Sequence, residues 1–217
     1  MTRLTRRDAI AGAAAGAALV VAPGAGAAIK AAPGDMNLGK PTAPVHVVEY
    51  LSLTCPHCAH FHDEVFPAFK AKYIDTGQVY FTIRELLTAP ANVAAAGFLM
   101  ARCNGGTRYF QVVDQVFKSQ SRWKPGAPIK PIFLEIAQAN GITEPQFEAC
   151  LVDEKASAAL EARLEYATKV DKVSGTPAFF INGVPISTPG TPTLPQLDAA
   201  IAQALKAAPA GKTGGRR

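Results

Sequence analysis

The first part of the chain combines apolar runs of strand and helix character. Val45–Leu51 is a near-continuous apolar run, the pattern of a strand buried in a central sheet. Helical periodicity follows over Cys55–Ile74, with a kink expected at Pro67. Val79–Leu87 then alternates apolar and polar residues, as a second strand does. These segments predict a β-α-β unit over residues 45–89.

Residues 88–170 have no convincing strand pattern, and their apolar residues recur at helical spacing. Glycine, proline and asparagine separate the periodic segments, and Thr143-Glu144-Pro145-Gln146 resembles the cap at a helix start. The predicted helices are Asn92–Arg102, Thr107–Ser119, Ile129–Ala139, Glu144–Val152 and Ser157–Val170. Residues 90–170 are therefore expected to form an all-helical insertion.

The C-terminal part returns to strand character. Ala178–Ile181 and Val184–Ile186 flank Asn182-Gly183, which is a strong signal for a tight hairpin turn. Leu194–Ala207 has apolar residues along one helical face. The predicted order β-β-α over residues 171–207 completes an α/β fold whose two halves flank the helical insertion.

The N-terminus has the composition of an export signal. Basic residues occur in the first ten positions, a small apolar segment follows, and Ala25-Gly26-Ala27 fits the small-x-small rule for cleavage. Thr5-Arg6-Arg7-Asp8-Ala9-Ile10 also resembles a twin-arginine signal. Residues 1–27 are predicted to be a signal peptide cleaved near Ala27. Residues 28–44, rich in alanine, glycine and proline, are predicted to be a lead-in loop.

Composition and charge limit the classes of function. The 217 residues are 48% hydrophobic, which suits a globular protein, and no apolar run beyond the N-terminus reaches the roughly 18 residues of a membrane helix. The formal charge of +5 falls to +3 when the predicted signal peptide, with three arginines and one aspartate, is removed. This excess is too small to indicate a nucleic-acid-binding protein. Much of it lies in residues 208–217, which are predicted to be a disordered basic tail.

The strongest chemical signal is Cys55-Pro56-His57-Cys58, between a predicted strand and a predicted helix. A cysteine at a helix N-terminus meets unpaired N–H groups and the positive end of the helix dipole, so its thiolate is favoured over its thiol. Cys58, one turn inside the helix, is expected to be the shielded partner. Pro56 lies where a missing N–H costs little, and a protonated His57 would further stabilise the Cys55 thiolate. The pair is therefore predicted to be easily reduced.

Three motifs together resemble one family. Val47-Val48-Glu49-Tyr50, Cys55-Pro56-His57-Cys58 and Gly175-Thr176-Pro177-Ala178-Phe179 are similar to motifs of the DsbA-like branch of the thioredoxin-like proteins, with a resemblance that covers roughly Gly34 to Lys206. The resemblance implies an α/β thioredoxin fold interrupted by a helical insertion. It also implies that Pro177 is a cis-proline facing the two cysteines, and that the backbone of Thr176 contacts the substrate peptide.

The same resemblance implies a function. An exported thiol–disulfide oxidoreductase would exchange its Cys55–Cys58 disulfide with cysteines of reduced secreted proteins in the periplasm, most simply as an oxidant that introduces disulfide bonds. A DsbB-like membrane partner would reoxidise it, and no cofactor besides the redox-active disulfide would be required. Isomerases of this superfamily carry a dimerisation domain before the thioredoxin fold. Residues 28–44 are too short to form one, so a monomer is expected.

Two other functions are compatible with these residues. Thr176 resembles the residue before the cis-proline in isomerases more than the valine common in oxidases, so an exported reductase or isomerase is one alternative. The other is a non-enzymatic copper- or zinc-binding protein, because His57, His60 and His62 lie beside the two cysteines. On a helix the side chains of His60 and His62 would diverge, and no second Cys/His cluster is present in the sequence. No metal site is therefore expected.

Cys103 and Cys150 form the second cysteine pair. They lie on different predicted helices with 46 residues between them. Closing a loop of this length would remove denatured-state entropy worth about 4 kcal/mol in the chain-entropy model. A structural disulfide is therefore favoured in an oxidising compartment, and two buried thiols or a second shuttling pair are the alternatives.

Glu49 is an acid within an otherwise apolar predicted strand. It is either a solvent-facing residue near a sheet edge or a buried acid. In the DsbA-like family a buried acid at this position lies beneath the cysteine pair and exchanges protons with the inner cysteine, so the resemblance implies this role for Glu49 toward Cys58. The lysine that usually accompanies the acid is not evident, because Gln78 or a neighbour occupies the corresponding stretch.

Overall fold

The computed structural model describes residues 30–187 and 190–207. The expected signal peptide, residues 1–27, and the expected basic tail, residues 208–217, lie outside the described residues. Within the described part, every helix is too short or too polar to cross a membrane. The predicted α/β fold and its insertion lie inside the described part apart from residues 188 and 189.

A five-stranded mixed sheet forms the centre of the molecule, in the order β1-β3-β2-β4-β5. Its strands are β1 (Met36–Leu38), β2 (Val45–Leu51), β3 (Val79–Glu85), β4 (Ala178–Ile181) and β5 (Val184–Pro185). β2 pairs in parallel with β3 and antiparallel with β4, and β4 pairs antiparallel with β5. β2 is therefore the central strand, and the residues that follow it emerge at the middle of one end of the sheet.

The helices pack around this sheet. Helix α1 begins at Pro56 and continues to Ile74 through the consecutive α and π segments Pro56–His60, Phe61–Val65, Phe66–Phe69 and Lys70–Ile74. The later helices are α2 (Ala91–Arg102), α3 (Tyr109–Ser119), α4 (Lys130–Ala139), α5 (Glu144–Leu151), α6 (Glu154–Glu165, followed by the π turn Tyr166–Val170) and α7 (Leu194–Ala207). Helices α2 to α6 lie between β3 and β4 in the chain, where the sequence predicts only helices.

Helix α1 departs from regular α geometry near its internal proline. Pro67 has no N–H to donate to a carbonyl one turn earlier, and the π turn Phe61–Val65 directly precedes the segment that contains it. Val65, at the junction, has backbone angles φ −110° and ψ −44°. The irregularity predicted at Pro67 therefore takes the form of a widened turn.

Alternate residues of β2 face two separate cores. The larger core lies between one face of the sheet, α1, the insertion and α7, and its members from β2 are Val45, Val47 and Leu51. The smaller core covers the other face, and its buried members are Val48, Tyr50, Leu86, Ala167 and Val173. Glu49 shares the alternation of Val47 and Leu51, so its side chain enters the larger core on the side of α1.

The predicted lead-in loop, residues 28–44, contains strand β1, which pairs antiparallel with β3. A three-residue strand that pairs with a distant segment leaves no local periodicity, so the sequence predicts a loop there. Residues of this segment also cover Arg84 of β3. The alternation of apolar and polar residues along β3 predicts Arg84 to be one of the polar ones. Arg84 is buried and donates hydrogen bonds to Asp35 at 2.8 Å and Asp171 at 2.7 Å.

A buried cluster of charged and polar side chains connects the helical insertion to the sheet. The Glu85 carboxylate, at the end of β3, accepts hydrogen bonds from Arg102 of α2 at 2.6 Å and Arg163 of α6 at 2.7 Å. The Tyr109 hydroxyl of α3 donates a third, at 3.1 Å. Three insertion helices therefore share one buried carboxylate with the sheet.

Candidate active site

Cys55 lies directly after the central strand, where the chain turns into α1. It is the N-cap residue of the helix, with extended backbone angles (φ −81°, ψ 119°), and it is 5% exposed. The Cys55 N–H donates to the Ser52 carbonyl at 3.1 Å, and hydroxyl contacts join Ser52, Thr54 and Thr88. The Cys55 sulfur therefore lies at a helix N-terminus on a loop that several hydrogen bonds hold in place.

The surroundings of Cys55 favour its thiolate. The main cause is the hydrogen bond from the Cys58 thiol, which with Thr176 and the backbone N–H groups of Cys58 and His57 lowers the pKa of Cys55 from 9.0 to about 5. Burial acts in the opposite direction and raises the pKa. Because the hydrogen bonds outweigh burial, Cys55 is almost entirely ionised at neutral pH.

Cys58 has the opposite character one helical turn later. It is fully buried, and burial, the hydrogen bond to Cys55 and the charge of Glu49 raise its pKa well above the ordinary value of 9.0. Both cysteines are in the reduced form. The arrangement therefore provides one stabilised thiolate and, beneath it, one shielded thiol.

The loop before β4 borders the cysteine pair. The peptide bond between Thr176 and Pro177 is cis, in agreement with what the sequence resemblance implies. Cys55 Sγ lies 3.4 Å from the Thr176 carbonyl oxygen, and the Thr176 hydroxyl is buried without a hydrogen-bond partner among the described residues. Thr176 therefore approaches the reactive sulfur with both its backbone and its side chain.

Glu49 is fully buried, which excludes the solvent-facing alternative. Its neighbours in register on the two flanking strands are Ile83 and Phe179. Its Oε2 atom is 2.9 Å from Nε2 of His62, and its Oε1 atom has no hydrogen-bond partner in the described part of the chain. The core therefore holds a carboxyl group with one paired and one unpaired oxygen.

His62 contacts the buried acid Glu49, although the sequence indicates it only as a possible metal ligand. The side chain is 5% exposed, and its ring lies 4.7 Å from the ring of Phe66 and 4.8 Å from that of Phe117. His62 follows Cys58 by four residues, the spacing that brings two side chains to the same face of a helix. The four-residue spacing from Cys58 is the sequence signal that could have predicted His62 to lie on the same side of α1 as Cys58 and close to Glu49.

Pro56, His57 and His60 lie on the exposed side of α1. The His57 carbonyl accepts a hydrogen bond from the Thr191 hydroxyl at 3.2 Å. The histidines considered for a metal site are therefore separated, with His62 buried and the other two exposed. Within the described ranges, no group of three or more His, Cys, Asp or Glu side chains is arranged to hold a metal ion.

Cys103 and Cys150 are joined by a disulfide bond, and their Cα atoms are 5.9 Å apart. Cys103 begins the 3₁₀ turn Cys103–Gly106 after α2, and Cys150 lies in α5. The bond therefore cross-links two helices of the insertion.

The chain is similar to known proteins over most of its length. A family model described as thioredoxin matches residues 31–202. A Rickettsia bellii protein provisionally named a protein-disulfide oxidoreductase is 38% identical over 151 residues, which are 69% of this chain and 58% of that protein. The chain thus spans less than two thirds of the length of this relative.

Solved structures share the fold. The alpha-DsbA1 protein of Wolbachia pipientis is 28% identical with a TM-score of 0.72, and the match covers 83% of this chain and 95% of that one. Oxidised BdbD from Bacillus subtilis is 22% identical with a TM-score of 0.71, and covers 84% of this chain and 97% of its own. These matches confirm the predicted thioredoxin fold with its helical insertion. The chain belongs to the thioredoxin family, and it is a DsbA-like member of that family.

Proposed function

We propose that this protein is a thiol–disulfide oxidoreductase that introduces disulfide bonds into other proteins. The observation that carries the proposal is the position of Cys55 at the N-terminus of α1, next to the fully buried Cys58. This arrangement lowers the pKa of Cys55 to about 5 and raises that of Cys58. A stabilised thiolate favours the reduced form of the pair, so the Cys55–Cys58 disulfide would be a good oxidant. The names of the relatives from Rickettsia and of the disulfide bond formation protein D of Bacillus subtilis support this class of reaction.

The reaction would begin when a substrate thiolate attacks the Cys55 sulfur of the disulfide. The bond between Cys55 and Cys58 breaks, a mixed disulfide forms on Cys55, and the departing Cys58 thiolate takes up a proton. The second substrate thiolate then attacks the substrate sulfur of the mixed disulfide, and Cys55 leaves as a thiolate. The substrate gains a disulfide and the pair ends reduced, so the two electrons are accounted for without a further cofactor.

Thr176 and Pro177 would position the substrate peptide. The Thr176 carbonyl oxygen is 3.4 Å from Cys55 Sγ, so a peptide bonded to that sulfur would lie along the cis-proline loop. An extended peptide can pair its backbone with an exposed backbone segment without a requirement for one sequence. This geometry would suit an enzyme that accepts many unfolded substrates.

The proposal also includes a cellular location and two kinds of partner protein. The signal peptide predicted over residues 1–27 would deliver the protein to the periplasm, where reduced secreted proteins would be its substrates. Each turnover leaves Cys55 and Cys58 reduced, so a membrane partner of the DsbB type would have to reoxidise them. A single copy holds both cysteines and the cis-proline loop, so the protein would act as a monomer.

The asymmetry of the two cysteines gives a direct test. With Cys58 replaced by alanine, a mixed disulfide on Cys55 cannot be resolved from within the protein, so Cys58→Ala should accumulate covalent adducts with exported proteins. Cys55→Ala is the matched control, because the remaining Cys58 is fully buried and should form few adducts. Non-reducing gels of the exporting host would show reductant-sensitive bands for the first variant alone.

The metal-binding alternative makes a different prediction for the same two variants. Loss of either cysteine would remove one ligand, and metal affinity would fall comparably in both. Equal absence of adducts, together with stoichiometric copper or zinc in the wild type, would overturn the oxidoreductase proposal.

A reductase or isomerase is the second candidate, and the Thr176 hydroxyl beside Cys55 favours it. The Thr176 side chain helps to lower the pKa of Cys55, although its hydroxyl has no hydrogen-bond partner among the described residues. It is also the side chain that resembles those of isomerases. Equilibration of the purified protein with glutathione mixtures separates the two functions. An oxidant should be reduced almost completely by a small excess of reduced glutathione. A reductase would remain largely oxidised under those conditions.

A further inference from the structure

We propose that His62 is a positioning residue for proton transfer at Cys58. Its hydrogen bond to Oε2 would hold the Glu49 carboxyl group in place and leave Oε1 free to exchange a proton with Cys58. The inference rests on the proposed function, because it concerns the same cysteine pair. A proton-exchanging role for Glu49 is implied by the family motif, whereas His62 is assigned a role by its contacts in this chain.

Burial of the Glu49 carboxyl group has a free-energy cost. Ile83 and Phe179 flank it in register on β3 and β4, and the residue is fully buried. An unpaired carboxylate in apolar surroundings is strongly unfavourable, and a charged or polar partner at hydrogen-bond distance offsets that cost. His62, with Nε2 at 2.9 Å from Oε2, is that partner.

Aromatic rings on several sides fix the orientation of the His62 imidazole. Rings of Phe61, Phe66 and Phe117 lie 5.4, 4.7 and 4.8 Å from the ring of His62. Phe117 belongs to α3 of the insertion, so packing from both parts of the molecule holds the ring. Because the packed ring of His62 cannot turn freely, its hydrogen bond also fixes the orientation of the Glu49 carboxyl group.

The groups around Glu49 and His62 determine which of them can exchange a proton with these two residues. Strand register places Ile83 and Phe179 beside Glu49, ring contacts place Phe61, Phe66 and Phe117 beside His62, and Glu49 acts electrostatically on Cys58. Of these neighbours, Cys58 alone titrates, and it acts on Cys55 through a hydrogen bond. Cys58 is fully buried in the larger core, which Glu49 also enters, and it precedes His62 by four residues on α1. In agreement with this placement, the charge of Glu49 raises the pKa of Cys58. Oε1 of Glu49 has no hydrogen-bond partner among the described residues, so it has a free lone pair with which to exchange a proton with Cys58.

The step itself balances within the protein. In a mixed disulfide on Cys55, the Cys58 thiol gives its proton to Oε1 of Glu49, and the resulting thiolate attacks the Cys55 sulfur. The Cys55–Cys58 bond forms, the bond to the substrate sulfur breaks, and the substrate leaves as a thiolate. In the opposite direction Glu49 returns the proton to the departing Cys58 thiolate. His62 holds Glu49 in both directions and does not touch the sulfur atoms.

The test measures the rate at which Cys58 attacks a mixed disulfide on Cys55, separately from the formation of that mixed disulfide. Reduced protein is mixed with excess oxidised glutathione, which first forms a mixed disulfide on Cys55 and then loses the second glutathione by attack of Cys58. Acid quenching and mass measurement give the rate of each phase between pH 5 and 8. In the wild type the second phase should vary little with pH, because Glu49 accepts the proton.

His62→Phe keeps an aromatic ring between Phe66 and Phe117 but removes the hydrogen bond. Without that hydrogen bond the Glu49 carboxyl group would no longer be held in position to accept the proton, and Cys58 would have to lose it to water. The second phase should therefore slow on the order of 10²-fold at pH 6 and rise roughly tenfold per pH unit. His62→Gln presents an N–H at the same number of bonds from the backbone and should recover most of the rate. His60→Phe, on the exposed side of α1, is the matched control and should behave as the wild type.

The outcomes separate the two proposals. A folded His62→Phe variant with the wild-type pH dependence, or a His62→Gln variant as slow as His62→Phe, would overturn the role of His62. Failure of the wild type itself to release the second glutathione would instead overturn the proposed function. The first phase is an internal control, because it depends on Cys55, whose pKa is lowered by Cys58, Thr176 and backbone N–H groups.

Discussion

At Cys55 a negative charge is stabilised at a position that is only 5% exposed. The stabilisation comes from groups within one helical turn and one loop: the Cys58 thiol first, then Thr176 and the backbone N–H groups of Cys58 and His57. Each is a fixed dipole directed at one sulfur, so the effect does not depend on a charged side chain. It follows that the acidity of Cys55 is a property of the motif and its capping geometry.

The hydrogen bond from Cys58 can be tested by a pair of substitutions. Wild-type thiolate absorbance should titrate with a midpoint near the Cys55 pKa of about 5. Cys58→Ala removes the main donor and should raise the midpoint, whereas Cys58→Ser keeps an O–H donor and should stay closer to the wild type. Equal midpoints in the two variants would show that Cys58 is not the dominant cause.

The histidine of the motif provides a second comparison at this scale. The sequence predicts that a protonated imidazole at His57 stabilises the thiolate. The structure adds a contribution from the His57 backbone N–H, which an alanine would retain. His57→Ala should therefore raise the ultraviolet midpoint of Cys55 less than Cys58→Ala does. A larger effect of His57→Ala would restore the imidazole as the main stabilising group.

Single residues were predictable from the sequence where a local motif fixes their surroundings. The shielding of Cys58 follows from its position one turn inside a helix, and the cis bond before Pro177 follows from the family motif. The pairing of Glu49 with His62 joins a strand to a helix 13 residues later, and neither residue signals the other. Its geometry depends on how α1 crosses the sheet, which periodicity does not specify.

At the scale of elements, periodicity located the helices and the four strands that carry apolar runs. It failed for β1, whose three residues gain their conformation by pairing with β3. It also failed to anticipate the π turns of α1, because a widened turn changes the side-chain spacing by one residue and resembles an ordinary helix in a short window. Both failures concern conformation that tertiary contacts determine.

The disulfide between α2 and α5 is the element-scale feature with a measurable consequence. Cys103→Ser should lower the free energy of unfolding by about 2–4 kcal/mol, because the open chain gains entropy when it unfolds. The double variant Cys103→Ser/Cys150→Ser removes the same bond and should be destabilised to a similar extent. Denaturant unfolding of the oxidised proteins measures both. An unchanged midpoint for either variant would show that the bond has no structural role, and the redox-active alternative would then be favoured.

At the scale of the whole molecule, the insertion and the sheet are coupled through buried polar groups. Glu85 binds α2, α3 and α6, and the ring of Phe117 in α3 contacts His62 in α1. The helices of the insertion therefore do more than cover the sheet, because they also hold residues beside the cysteine pair. Apolar periodicity predicts that these helices have a buried face but does not identify the charged residue around which they assemble.

Glu85→Gln tests this coupling. The side-chain volume is retained, but Arg102 and Arg163 lose the charge that compensates them in a largely buried site, and breaking a buried ion pair in this way typically costs about 3–5 kcal/mol. The free energy of unfolding should fall by that order. Glu135→Gln is the matched control: Glu135 accepts from Arg122 at 2.6 and 2.9 Å, but both side chains are at least half exposed, so the free energy of unfolding should change little.

Urea unfolding of both variants, with the Cys55–Cys58 pair held reduced, would give the two free energies on one scale. If the insertion is held to the sheet by Glu85, the loss of stability in Glu85→Gln should clearly exceed that in Glu135→Gln, because breaking a buried ion pair costs more than breaking an exposed one. Equal losses would mean that the apolar contacts of α2, α3 and α6 dock the insertion by themselves. The glutathione release rate of Glu85→Gln then reports whether the contact of Phe117 with His62 depends on that docking.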